Sequence, residues 1–200
     1  ALRQLGLGYA NLGALLMALG LPYDSDEGRA WASAITSLMT GSAYAASART
    51  AARVGPFDGF ADDRDAMIGV LEMHLAANER LAASEAVPDD LVGAAADAWD
   101  RALHDARQFG VRNSQSTVLA PTGTIGLAMD CDTTGIEPDL ALVKTKKLVG
   151  GGTMSIVNQT IPRALRRLGY GPEQVDDIVD YIDEHMSVLG APHLAAEHLA

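Results

Sequence analysis

The chain has 200 residues, 48% hydrophobic and 20% charged, enough for one domain or part of a larger one and too apolar for disorder. Its apolar stretches are broken every few residues, short of the roughly 18 residues a membrane span needs. No segment has a signal-peptide layout, and the single cysteine, Cys131, excludes an internal disulfide framework, so a cytoplasmic protein is expected. The formal net charge of −11 argues against a nucleic-acid groove, while a few local donors can still hold a small anion.

The chain opens on Ala1-Leu2-Arg3-Gln4-Leu5-Gly6-Leu7-Gly8 and closes on Glu197-His198-Leu199-Ala200, which reads as an excised or incomplete sequence. Leu5 and Leu7 alternate with glycines, as in a short buried strand or the turn leaving one. Asn11 to Leu19 is a short apolar helix ended by Gly20 and Pro22. Asp24 with Glu27 resembles a capping box for a long helix that Gly55-Pro56 ends, with Trp31, Ala34, Ile35, Leu38, Ser42 and Ala45 inward. Asp62 or Asp63 caps the next helix, whose stripe is Met67, Val70, Leu71, His74 and Leu75; His74 there reads as a hydrogen-bonded core residue rather than a ligand. A fourth helix starts after Pro88, with Leu91, Ala95, Ala98, Trp99 and Ala102 inward, and fades near Phe109-Gly110.

At Val111 the composition turns to Gly, Thr, Asn and Asp with short apolar runs, the pattern of strands feeding functional loops. Helices resume over Val157 to Leu168 and Pro172 to Leu189, the latter with Val175, Ile178, Val179, Ile182 and Met186 inward. The expected division is 1–110 mainly helical, 111–152 strand and loop, and 153–200 helical. The fold class is α/β and helix-rich.

The segment with chemical promise is Val118-Leu119-Ala120-Pro121-Thr122-Gly123-Thr124-Ile125-Gly126. A short apolar strand meets a turn where several backbone N–H groups can point at one spot, especially if a helix starts near Thr124. Gly123 permits close approach of an anion, and Thr122 and Thr124 add hydroxyls. The same residues also suit an ordinary strand-to-helix turn, and the loop is neither a Walker A motif nor a dinucleotide fingerprint. Asp130-Cys131-Asp132-Thr133-Thr134-Gly135 begins like a calcium loop, but Ala141 stands at its twelfth position, where a Glu is needed. Two flanking aspartates disfavour a thiolate at Cys131, which reads as structural. Lys144, Lys146 and Lys147 form the main basic cluster, read as a solvated strand or loop edge, with steering of an anion as the alternative. Arg163, Arg166 and Arg167 belong on the outer face of a helix. No zinc cage and no serine–histidine–acid set can be picked out.

Several stretches in order resemble the cobalamin-dependent (class II) ribonucleotide reductases. Arg3-Gln4-Leu5-Gly6-Leu7-Gly8-Tyr9-Ala10-Asn11-Leu12-Gly13 is similar to the segment after their catalytic cysteine loop. Arg112-Asn113-Ser114-Gln115 followed by Ala120-Pro121-Thr122-Gly123-Thr124-Ile125 looks like their substrate-phosphate loop, and Gly135-Ile136-Glu137-Pro138 like the stretch behind it. Lys146-Lys147-Leu148, Gly150-Gly151-Gly152, Ile156-Val157-Asn158-Gln159 and Gly190-Ala191-Pro192-His193 continue the likeness. Gly126 departs from it, since a serine commonly follows Thr-Ile. The resemblance implies part of a ten-stranded α/β barrel and reduction of ribonucleoside di- or triphosphates by thiyl-radical chemistry. It implies adenosylcobalamin as cofactor of the full-length enzyme, a thioredoxin-type reductant and a possible homo-oligomer. Of the site residues, Pro121, Thr122, Gly123, Thr124 and Ile125 carry over as phosphate-binding positions. The radical cysteine is expected upstream of Ala1, and Cys131 does not replace it. Two other readings are a non-catalytic nucleotide- or phosphometabolite-binding α/β module and an acidic helical scaffold without ligand.

Overall fold

The computed structural model describes residues 1–83, 85–139, 141–147 and 150–199. They form two compact units, one of residues 1–9 and 26–120, the other of residues 10–25 and 121–200.

The first unit is built on three helices, α2 (Asp26–Val54), α3 (Arg64–Glu79) and α4 (Asp89–Phe109). Small residues let α2 and α4 pack closely: a Cβ on Gly41 would lie 3.1 Å from the Trp99 ring and 3.2 Å from the Ala98 methyl. The buried stripe of α2 is accordingly Gly41, Tyr44, Ala45, Ala48 and Ala51. The expected stripe is only partly right: Ala34 and Ala45 are buried, Trp31, Ile35 and Leu38 are half-buried, and Ser42 is exposed. Alanines on every side of this helix leave its periodicity faint, and the bulk of Trp99 decides which face turns in. Tyr44, Phe57, Phe60, Met67, Ile68, Leu71, Trp99, Leu103 and Val111 complete one core. Trp99 is held by polarity as well as packing: its Nε1 donates to Ser37 Oγ at 2.9 Å, and Ser37 Oγ donates to Asn78 Oδ1 at 2.6 Å. His74 is half-buried and stacks on the Trp99 indole with ring centroids 5.3 Å apart, at the edge of this core rather than inside it.

Residues 2–8 of this unit run alongside 114–118. Leu5 N donates to Gln115 O (2.9 Å), Leu7 N to Ser116 O (3.1 Å), and Val118 N back to Leu7 O (2.8 Å). The two backbones touch at Gly8, where a Cβ would sit 2.2 Å from Val118 O, so only glycine fits. The pairing amounts to a single parallel bridge, Leu7 with Thr117, and Leu5 and Leu7 are 47% and 49% exposed. The short buried strand expected at Leu5–Leu7, and the one expected at Val118–Ala120, are corrected to this one-sided pairing. A parallel strand is buried when neighbours flank it on both sides, and here one flank is open.

The second unit packs α1 (Leu12–Leu19) on α6 (Ile161–Arg167) and α6 on α7 (Pro172–His185). An antiparallel hairpin joins them, β1 (Val143–Lys147) with β2 (Thr153–Val157), in register from Val143 opposite Val157 to Lys147 opposite Thr153. Val143, Ile161, Leu165, Val175, Ile178 and Ile182 form its core. The helix expected from Val157 starts instead at Ile161, because Thr153–Val157 pairs as a strand across the glycine turn. Helix α7 ends at His185 rather than Leu189; Met186 caps it in a left-handed conformation and is 53% exposed, not inward. Among the described residues the strands are this hairpin and the one bridge, so they show a helix-rich fold and do not show a ten-stranded barrel. No helix of the described residues is long and apolar enough to cross a membrane.

Candidate functional site

Behind the bridged Thr117, Val118 and Leu119 run out exposed (41% and 39%) to Pro121. Thr122 turns the chain with φ +49°, and Gly123 opens a short helix, α5 (Gly123–Ala128). An α-helix leaves its first N–H groups without intrahelical acceptors. Among the described residues the first backbone bond of this turn is made by Gly126 N, which donates to the Thr122 carbonyl. Among the described residues the amides of Gly123, Thr124 and Ile125 meet no hydrogen-bond acceptor at this exposed turn, and Pro121 has no N–H to add. Pro121, Gly123, Thr124 and Ile125 are exposed, Ile125 at 64%. A Cβ on Gly123 would meet nothing within 4 Å, so the space in front of the turn is open.

Thr122 differs from its four neighbours. It is half-buried, and its Oγ1 accepts the Gly135 N–H at 2.9 Å. That bond fastens the turn to the 130–139 loop, as does Cys131 N donating to Gly126 O at 2.9 Å. The 130–139 loop is in turn held by the start of α1. Thr133 N donates to Asn11 Oδ1 (3.0 Å), and Ala14 N donates to Thr133 Oγ1 (3.2 Å). Tyr23 OH donates to Ile136 O at 2.7 Å.

On its other side this loop meets the hairpin and α6 through charged groups. Asp132 accepts Gln159 N on Oδ1 (3.1 Å) and the Thr160 hydroxyl on Oδ2. Lys144 Nζ donates to the Asp132 carbonyl and pairs with Asp139 Oδ1 at 3.5 Å. The Asp139 side chain is only 6% exposed and also receives Asn158 Nδ2. Lys144 is thus an internal tie, which corrects its reading as part of a solvated edge; the side chains of Lys146 and Lys147, and the whole of Leu148, lie outside the described residues. Arg163, Arg166 and Arg167 are exposed on α6, as expected.

The ties among Asp132, Asp139, Lys144, Asn158 and Thr160 have no counterpart in the sequence reading. Their partners lie up to 28 residues apart, and no spacing rule links them. Cys131 is a half-buried free thiol. Among the described residues no three His, Cys, Asp or Glu side chains gather as metal ligands. A cavity of about 600 Å³ in this unit is lined by packing residues such as Met17, Leu142, Leu165 and Ile178 and includes none of residues 121–125.

Comparison with known proteins gives the chain a family. The model of the ribonucleotide reductase barrel domain matches residues 1–200. The chain belongs to this family. It is 59% identical over 198 residues to a vitamin B12-dependent ribonucleotide reductase of Streptantibioticus cattleyicolor, covering 99% of this chain and 33% of that protein. It is 57% identical to one from Streptomyces coelicolor, covering 99% of this chain and 20% of the relative. A vitamin B12-dependent ribonucleoside-diphosphate reductase of Mycobacterium tuberculosis is 32% identical over 98% of this chain and 22% of its own length. The chain spans a third or less of the length of these reductases, and what it shares with them is barrel-domain sequence that includes the Pro121–Ile125 turn.

Proposed function

We propose that this chain is the substrate-phosphate-binding part of an adenosylcobalamin-dependent ribonucleotide reductase, which converts ribonucleoside di- or triphosphates to 2′-deoxyribonucleotides within a ten-stranded α/β barrel. The observation that carries the reading is the exposed turn at the start of α5, where among the described residues three amides meet no acceptor and no side chain fills the space before Gly123. The Thr124 hydroxyl adds a donor at the same place. A phosphate there neutralises no buried charge and needs no lysine, which fits a chain of net charge −11. Each hydrogen bond to a charged group contributes roughly 1.5–3 kcal/mol, so two or three suffice to separate a nucleotide from its nucleoside.

Binding and orientation are what these residues do: the turn anchors the phosphate end so that the ribose is presented in one pose, which removes rotational freedom before any bond changes. Adenosylcobalamin supplies the radical chemistry in the whole reductase. The described residues offer it no cluster of ligating side chains, and Cys131, held in the loop that braces the turn, is not the radical thiol. The thioredoxin-type reductant and self-association belong to the reductase as a whole.

Titration calorimetry with a nucleoside diphosphate, with its nucleoside as control, tests the reading. Gly123→Val places a branched side chain in the open space without an internal clash. It should leave the thermal midpoint near wild type and weaken diphosphate binding about tenfold or more. Equal affinity of variant and wild type would remove the turn from the binding site.

A further inference from the structure

The phosphate turn does not hold its own shape. Thr122 sits in the left-handed region, where a β-branched residue is strained, and the Gly135 amide on its Oγ1 is the side-chain bond that keeps it there. Gly135 belongs to a loop with no regular structure, so something must hold that loop still. Asn11, Ala14 and Tyr23 hold it from one side, and two charged residues hold it from the other. Asp132 spends both carboxylate oxygens on Gln159 N and the Thr160 hydroxyl at the start of α6. Lys144 of β1 grips the Asp132 carbonyl and, at the other end of the loop, the Asp139 carboxylate. Asp139 is nearly enclosed, so the lysine also neutralises a carboxylate that water does not reach well.

We propose that Asp132 and Lys144 are positioning residues for substrate: they fix the 130–139 loop so that Gly135 holds Thr122, and Thr122 aims the free amides of Gly123 to Ile125. Neither side chain touches the phosphate. The proposal rests on the phosphate reading of the turn and adds the residues that set its geometry.

The test uses the 200-residue chain and its Lys144→Met, Asp132→Ala, Thr122→Val and double variants, with calorimetric binding of a nucleoside diphosphate and hydrogen exchange at the Gly135 amide. Loss of either tie should weaken binding by about tenfold, the scale of one charge-assisted bond, and speed Gly135 exchange. Lys144→Arg, which keeps a cation within reach of Asp139, should restore much of both. Combining Lys144→Met with Thr122→Val should weaken binding little beyond either alone, because both act through one contact; independent effects would multiply. A merely structural lysine would lower the melting temperature yet leave affinity unchanged; that result, or single-variant effects that multiply in the double variant, overturns the proposal. If the wild type binds no nucleotide, the phosphate reading fails by itself, and Gly135 exchange then decides: faster in Lys144→Met sustains the tie, unchanged refutes it. Should Lys144→Met not fold, Asp132→Asn, which keeps one acceptor oxygen, is judged by the same two readouts.

Discussion

Thr122 shows how one side chain changes role between sequence and structure. Its hydroxyl reads as a phosphate donor beside Thr124, yet its oxygen is taken by Gly135 N–H at 2.9 Å, and it fastens the turn to the 130–139 loop. Nothing in the residues around position 122 announces a partner thirteen places on, because that contact exists only after the 130–139 loop has folded back. Tyr44 makes a different point at the same scale. Burial against Trp99 raises its hydroxyl above the ordinary value of 10.0, with a backbone hydrogen bond to Ser116 pulling the other way. The folded state therefore keeps the phenol proton after the unfolded chain has lost it. That contribution to stability is complete below pH 10 and falls as pH climbs toward the raised value. Thermal unfolding followed from pH 8 upward should show an alkaline decline that is shallower in Tyr44→Phe; equal slopes would mean the phenol is not shielded.

Among the elements, the long helices were legible and the strands were not. Helices α3, α4 and α7 carry apolar residues at three- and four-residue spacing over many turns, so Met67, Ala95, Trp99, Val175 and Ile178 are inward where periodicity puts them. The run Val118-Leu119-Ala120 looks equally apolar, but its pairing stops at Val118 N, which donates to Leu7 O, and a strand is defined by its neighbours rather than by its own residues. Residues 153–157 carry a hairpin signal in the glycines before them, and Thr160, a favoured cap residue, marks where the helix begins, yet the apolar Ile156-Val157 pair reads as well into a helix as into a strand. Ile178 is fully buried in the core of the second unit. Ile178→Ala should cost about 2–5 kcal/mol by leaving a cavity that α6 and α7 cannot close. Chemical denaturation of wild type and variant measures this directly, and a loss below about 1 kcal/mol would mean that α7 is not packed on this core.

For the molecule as a whole, charge and site pull in opposite directions. A chain with 26 acidic and 15 basic residues repels anions at a distance, and Lys144 is committed to Asp132 and Asp139. In the proposed phosphate role, attraction comes from amides and hydroxyls at contact range, which carry no net charge and are screened little by salt. Family membership was legible from ordered stretches spread along the chain, while the arrangement that gives the turn its acceptor-free amides was visible only in three dimensions. The most direct measurement is a titration of the ¹⁵N-labelled chain with a nucleoside diphosphate, following each backbone amide by NMR. The amides of Gly123, Thr124 and Ile125 should shift together and saturate with one dissociation constant, and the nucleoside without phosphates should leave them in place. Saturable shifts confined to other residues, with these three unmoved, would contradict the phosphate role of the turn.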